Sequence, residues 1–456
     1  MIAMRLSEAA RILQGQHRGR DARFASVSSD TRTLCTGDLF VALVGPNFDA
    51  HDYLSIAEQK GAVAALVQRE VETPMPVVQV TDTRLALGEL ARAWRQRAAA
   101  RIVAVTGSNG KTTVKEMLAA ILGQRHAVLA TRGNLNNDIG MPLTLLRLQD
   151  EAFGVIEMGA NHPGEIGYLS RIARPDVAVL NNAGRAHLEG FGSVEGVARA
   201  KAEILEGLAA DGVFVFNADD AHADLWRERA RGRRTLSFGL GEAADVRSPG
   251  EARITLDDTG FENRFEVVHP GGHFDLCLRL AGEHNRLNAL AASAAALALG
   301  VDETAIREGL AGLRPVPGRL CPLRAECGAW LVDDSYNANP DSVAAALAAL
   351  SVMPGRRTLV LGDLGELGPA QERLHAELGE LAGSAGIERL FTCGELSRHA
   401  GEAFGGEWRH FDDQSVLIEM LSSTLAADDS VLVKGSRASA MDRVVRSLAA
   451  QETEAC

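Results

Sequence analysis

Val103-Ala-Val-Thr-Gly-Ser-Asn-Gly-Lys-Thr-Thr113 runs from an apolar, β-branched segment through two glycines into Lys-Thr-Thr. Just beyond it, Val114, Met117, Leu118, Ile121 and Leu122 recur at helical spacing on one face. The pattern is strand, Gly-rich turn, helix. Such a turn offers backbone N–H groups to phosphate oxygens, and the helix N-terminus adds positive potential. Lys111 has the reach for terminal phosphates, and the Thr112 hydroxyl suits Mg2+. A plain strand–turn–helix junction with a surface lysine is the bland alternative; strand context, two glycines and Lys-Thr together favour phosphate binding. One departure stands out. The common phosphate-loop pattern has a glycine five residues before Gly110, and this chain has Val105 there.

Outward from this loop, short bulky runs alternate with helix-period segments. Arg101–Thr106, Phe153–Met158, Asp176–Leu180 and Val213–Phe216 read as strands. Their alternation with helices predicts a parallel sheet covered on both faces. Phe265–Val268 and Phe274–Leu280 flank Pro270-Gly-Gly272 and predict an added hairpin. Upstream, Leu6–Leu13 and Thr83–Arg97 read as helices, and Gly37–Gly45, Gly61–Val67 and Val77–Val80 as strands. Arg314-Pro-Val-Pro-Gly318 breaks the chain. After it, Trp330–Asp333, Thr358–Leu361, Leu390–Cys393 and Val431–Val433 predict a second doubly wound sheet. The expectation is an α/β chain of three domains: residues 1–82, a small α/β unit; 83–314, a central phosphate-loop-type parallel sheet with its hairpin; and 315–456, Rossmann-like. The length of 456 residues agrees with roughly 150 per domain.

The formal net charge of -13 argues against a nucleic-acid partner. It leaves room for a small anionic ligand held by local Lys and Arg. Hydrophobic residues at 46% and charged residues at 23% are an ordinary globular balance. Six cysteines, among them Cys456, lack any CxxC pair and fit a reducing compartment. The first eight residues contain no apolar core of a signal peptide. Ala289–Leu299, the most apolar stretch, is about half the ~20 residues a bilayer demands. A soluble, cytoplasmic protein with no membrane partner is expected, and, without heptads, a monomer.

Several strand-end loops carry chemistry. Thr131–Gly140 holds three side-chain amides, Asn134, Asn136 and Asn137, suited to peptide and sugar groups, although turn-forming asparagines would look the same. Glu157 ends a strand where ligands gather in open α/β sheets, and its carboxylate is a fair Mg2+ ligand. Asn161 follows in the same run. His187 and Lys201 would, on residues alone, be a structural histidine and a surface lysine. Asn285 and Asn288 open the Ala-rich helix; Asn285 reads as an N-cap or, with Asn288, as a partner for a purine edge. Arg319 follows Pro317-Gly318 and suits a phosphate. Val332–Asp341 and Leu432–Arg437 are polar strand ends in the third domain.

The shortened loop Thr106-Gly-Ser-Asn-Gly-Lys-Thr112, together with these segments, resembles the Mur ligases and the related folylpolyglutamate synthetases. The resemblance spans nearly the whole chain and is strongest to the dipeptide-adding branch. It implies an ATP-dependent carboxylate–amine ligase using Mg2+, acting in cell-wall synthesis. The implied substrates are UDP-N-acetylmuramoyl-tripeptide and D-alanyl-D-alanine, joined through an acyl phosphate. It implies catalytic roles for Lys111, His187, Lys201 and Arg319. It places Thr106, Gly107, Ser108, Asn109, Gly110, Lys111, Thr112, Thr113, Asn285, Asn288, Arg319 and Asp334 on ATP. Thr112, Glu157, His187 and Lys201 would serve the metal, Lys201 as a carbamate formed with CO2. A lysine reacts this way only when neutral, so its surroundings must favour deprotonation. Asn134, Asn136, Asn137, Asn161, Tyr336, Asn337 and Asn339 would face substrate, and Lys434, Ser436 and Arg437 the dipeptide carboxylate. Ser29, Asp30, Arg32 and Phe40 resemble the uridine-nucleotide site. In Phe48-Asp-Ala-His51 the family's usual glycine is Ala50, which would be strained if that position needed a positive φ. Two rivals stay open: a ligase of the same type adding a single amino acid, and a phosphate-loop phosphotransferase.

Overall fold

The computed structural model describes residues 3–257 and 260–450; Cys456 lies outside them. Three sheets organise these residues. The first has five strands in the order Gln16–Arg18, Val77–Gln79, Ala64–Val67, Asp38–Val41, Ser26–Ser28, all parallel except the Gln16–Arg18 edge. Its apolar runs are buried on both faces, as parallel strands require. Ala50 lies in a 3-10 turn and is absent from the positive-φ residues, so the replaced glycine leaves no backbone strain.

The second sheet holds ten strands. Its parallel part runs Val128–Ala130, Phe153–Glu157, Arg101–Thr106, Val177–Leu180, Val213–Asn217, Arg234–Gly239, Val246–Arg247. The phosphate-loop strand is thus central, and the chain leaves it to opposite sides. Val105 is fully buried between Glu157 and Val179 on the flanking strands. The strand simply continues to Thr106, so the loop is shorter and no glycine is needed at 105. The expected hairpin is real and longer: Gly260–His269 pairs with Gly272–Leu278, and Arg253–Asp257 adds a third antiparallel strand.

Helices Thr83–Arg95 and Glu165–Ala173 cover one face, and Lys111–Gly123, Glu283–Ala298 and Glu303–Ala311 the other. Leu87, Leu90 and Trp94 join the first face to Leu39, Val41, Leu66 and Val78 of the N-terminal sheet in one core. The N-terminal unit is therefore packed against the central sheet, not tethered to it. Helix Glu283–Ala298 is capped by Gly282. The expectation that Asn285 caps it is corrected: Asn285 is within the first turn, and its amide donates to the Ala281 carbonyl (2.8 Å).

The third sheet runs Cys321–Arg324, Trp330–Asp334, Ser430–Lys434, Arg357–Gly362, Arg389–Cys393, Glu407–Phe411, parallel but for the first strand. Pro340–Leu350 and Gln371–Ser384 pack on one face and Gln414–Thr424 on the other. Among the described residues no helix is long and apolar enough to cross a membrane.

Candidate active site

The strand ends of the second and third sheets face each other across a cleft of about 1110 Å3. Gly110 caps helix Lys111–Gly123 with φ 78°. A Cβ there would stand 2.2 Å from Asn288 Oδ1 and 2.4 Å from Asn181 Nδ2, so the loop is built around the missing side chain. Thr106 donates to the Met158 carbonyl (2.9 Å), and the Ser108 and Asn109 amides donate to Asn182 (3.1 and 2.8 Å). Neighbouring strand ends therefore hold the loop open. Lys111 Nζ donates to the Gly107 and Ser108 carbonyls (2.6 and 3.1 Å), folding back over the place a phosphate would take. Burial pulls its pKa down, Glu157 opposes this and Arg319 adds to it.

Glu157 is 3% exposed at the floor. Thr112 Oγ1 donates to its Oε2 (2.9 Å) and Asn136 Nδ2 to its Oε1 (2.7 Å). Its own amide donates to Thr131 Oγ1 (3.0 Å), while Lys115 from the phosphate helix donates to the Thr131 carbonyl (2.8 Å). Helix, amide loop and strand end are cross-braced at this carboxylate. A hydroxyl and a carboxylate converging beside a phosphate loop are hard oxygen donors that fit Mg2+, whose remaining positions would go to phosphate oxygens and water. Among the described residues no three His, Cys, Asp or Glu side chains gather as a metal cluster.

Lys201 is 1% exposed, with its ammonium 5.5 Å from the Phe191 ring centroid. Burial, with the Lys111 charge adding to it, pulls its pKa down to about 7 against the pull of Glu165 and Glu203. The surface-lysine alternative is thereby excluded. His187 lines the cleft in a left-handed conformation and pairs with Glu366 of the third domain, whose carboxyl is held low by that contact.

From the third domain, Arg319 Nη2 donates to Thr112 Oγ1 (2.9 Å), and its guanidinium lies 4.4 Å from the Tyr336 ring centroid. Arg437 lies 5.6 Å from the same ring. Asn339 caps helix Pro340–Leu350 and donates to Asn109 Oδ1 in the phosphate loop (2.7 Å). Arg185 meets Asp341 through its backbone amide (2.7 Å) and Nε (2.8 Å). These contacts define a closed arrangement of the second and third domains.

Of the other expected residues, Asn134, Asn137, Asn161, Asn285, Asn288, Asp334 and Lys434 line the cleft, several of them held by protein partners. Asp334 is buried and takes Lys434 Nζ (2.5 Å) and the Leu320 amide (3.1 Å); burial raises its pKa against the Lys434 charge. Lys434 also donates to the Asn337 carbonyl (3.1 Å), so its ammonium is already engaged. Ser436 bonds with Ser439 and does not line the cleft. Asn288 links Asn285 (3.1 Å) to Asn181 (2.8 Å), and so braces the phosphate loop. Asn137 Oδ1 accepts from the Gly140 amide (2.8 Å), while Asn134 and Asn161 line the cleft. Ser29, Asp30, Arg32 and Phe40 do not line it. Arg32 grips Asp30 through Nε and Nη2, and Phe40 is a core residue at 1% exposure. His51 is buried between Asp49 and the Gln68 amide. Residue patterns missed Asn181, Asn182, Arg185, Asp341 and Glu366. The first two stand at a strand end, where polar residues gather; the others meet only through domain packing.

A phosphate loop, an oxygen-rich floor and an arginine delivered by a second α/β domain define a nucleotide-using ligase fold, and the chain belongs to the Mur ligase family. The Mur ligase middle domain matches residues 105–296, and the Mur ligase glutamate ligase domain residues 318–437. The UDP-N-acetylmuramoyl-tripeptide–D-alanyl-D-alanine ligase of Escherichia coli K12 is 46% identical over 459 residues, covering 100% of both chains. The solved UDP-N-acetylmuramoylalanyl-D-glutamyl-2,6-diaminopimelate–D-alanyl-D-alanyl ligase of Acinetobacter baumannii superposes with a TM-score of 0.86, at 35% identity and 98% coverage of each chain. The MurF ligase of Thermotoga maritima in complex with ADP gives 0.82, at 32% identity, covering 92% of this chain and 96% of that one.

Proposed function

We propose that this protein joins UDP-N-acetylmuramoyl-tripeptide to D-alanyl-D-alanine at the expense of ATP. The observation that carries the reading is Arg319 reaching Thr112 across the domain boundary, because it assembles a phosphate site from two domains. The tripeptide's terminal carboxylate attacks the γ-phosphorus of ATP, forming an acyl phosphate and releasing ADP. The dipeptide amine then attacks the acyl carbon, loses a proton and expels phosphate. Lys111 and Arg319 supply positive charge to the transferring phosphoryl group. Thr112 and Glu157 would hold Mg2+, which supplies further charge neutralisation when bound. Lys201, with its pKa lowered to about 7, has a substantial neutral fraction near neutral pH and is able to take up CO2, and its carbamate with His187 would support the same region. Asn134, Asn136, Asn137 and Asn161 would receive the muramoyl peptide, and Tyr336, Asn337 and Arg437 the dipeptide. With Lys434 paired to Asp334, Arg437 is left as the carboxylate anchor. Units 1–82, 83–314 and 315–456 would bind the uridine nucleotide, ATP and the dipeptide in turn. The protein would act as a cytoplasmic monomer.

The test is Mg2+-dependent phosphate release from ATP with the tripeptide, with and without D-Ala-D-Ala, and with single amino acids as controls. Release that needs both partners, with a pentapeptide product mass, supports the reading. Release with a single amino acid moves the protein to another member of the family, and no release with any pair removes the ligase activity.

A further inference from the structure

One wall of the cleft is not used by the reaction above. It is formed by Asp82, Arg84 and Leu85 at the start of helix Thr83–Arg95, by Asp138 at the end of the amide loop, and by Tyr168. Arg84 Nε bonds Asp138 Oδ2 across 54 positions of chain. The pair is open to the cleft: the Arg84 side chain is 57% exposed and that of Asp138 26%. Among the described residues, Arg84 Nη1 and Nη2 and Asp138 Oδ1 have no hydrogen-bond partner. One face of a guanidinium fork and one carboxylate oxygen are thus left for a ligand, side by side and opposite in charge. Leu85, 57% exposed, adds an apolar surface beside them. Asp138 is also close to the chemistry. It lies two residues after Asn136, whose amide donates to Glu157 (2.7 Å), so their Cα atoms are at most about 7.6 Å apart.

We propose that Arg84 and Asp138 read the free end of the acceptor peptide's third residue, selecting a side chain that ends in a zwitterionic amino-acid centre over one that ends in a bare ammonium. The inference rests on the ligation reading above. Arg84 donates to the distal carboxylate through its fork, Asp138 accepts from the distal ammonium, and the connecting methylenes lie on Leu85. 2,6-Diaminopimelate, named in the Acinetobacter ligase, ends in such a centre. Lysine offers only the ammonium, which satisfies Asp138 and sets a like charge beside Arg84.

The experiment compares kcat/KM for UDP-muramoyl-tripeptides carrying diaminopimelate or lysine, at saturating ATP and D-Ala-D-Ala. The wild type should favour diaminopimelate by about tenfold or more, the discrimination expected from one charge-assisted contact. Arg84→Ala and the milder Arg84→Gln should bring that ratio towards one, and Asp138→Asn should lower kcat/KM for both peptides. The charge-swapped double variant, Arg84→Asp with Asp138→Arg, should recover part of the preference and covers the case in which a single variant does not fold. A ratio unchanged in both Arg84 variants, even with slower turnover, overturns the proposal and leaves the pair as a tether between helix and loop. A wild type inactive on both peptides overturns the ligation reading and this inference with it, an outcome distinct from an unchanged ratio.

Discussion

Lys201 shows how far surroundings can change a residue. On an isolated helix it would be a solvated ammonium; here it is buried beneath Phe191 with a pKa of about 7 against an ordinary 10.5. Between those values the unfolded chain binds more protons than the folded one. Its contribution to stability therefore rises with pH from about 7 to 10.5 and is flat below that window. In CO2-free buffer, Lys201→Met should be more stable than the wild type at pH 7, with the difference in urea midpoint closing as pH rises towards 10. The same variant should lose about 10- to 100-fold or more in turnover, the scale of removing a support around a metal. A variant that is fully active returns the lysine to a packing role, and a stability difference flat across pH removes the buried-neutral account.

The phosphate loop and its helix act as one element because Gly110 permits a backbone that no side chain could share. Gly110→Ala combines a left-handed φ with a Cβ overlapping Asn288. It should cost at least about 1–2 kcal/mol of stability and abolish measurable ATP binding by calorimetry; retained affinity would mean that the loop reshapes freely. Helix Pro340–Leu350 makes a second case. Asn339 both closes its capping box and reaches Asn109. Asn339→Ala should lower stability by about 1 kcal/mol, read from the urea unfolding transition, and also raise KM for ATP, since the cap and the domain contact share one amide. A stability loss with unchanged KM would separate the two roles.

At the scale of the molecule, closure depends on a few polar contacts: Arg319 to Thr112, Asn339 to Asn109, Arg185 to Asp341, and His187 beside Glu366. Beside them Phe261 and Ala281 of the central domain join the third domain's apolar core, so the polar contacts are the part of the interface that can break and re-form as the domains open and close. Arg185→Ala leaves the phosphate site intact but removes a latch. Small-angle scattering should show a larger radius of gyration without nucleotide, and kcat should fall severalfold. Arg319→Ala should fall further, by about 100-fold or more, because it removes charge at the transferring phosphoryl as well. Equal effects from the two would mean that Arg319 acts through closure alone.

Periodicity and turn chemistry made the central sheet, its hairpin and the third sheet legible, because bulky buried strands and amphipathic helices leave local signals. Among the strands that were missed, Arg234–Gly239, Cys321–Arg324 and Glu407–Phe411 are partly exposed and polar, with charge in place of an apolar run, and Val128–Ala130 is only three residues long. The phosphate loop and Glu157 could be named from the chain because strand ends and glycine turns confine where such chemistry sits, whereas Arg319, a linker residue by position, was pointed to by the family resemblance. Phe40, Lys434 and Asn285 could not be settled that way: whether an aromatic ring is core, a lysine paired or an asparagine a cap depends on partners far along the chain. Burial and long-range pairing exist only once the domains have packed. For the same reason, the lowered pKa of Lys201, the Arg185 latch and the open face of Arg84 and Asp138 belong to the tertiary structure.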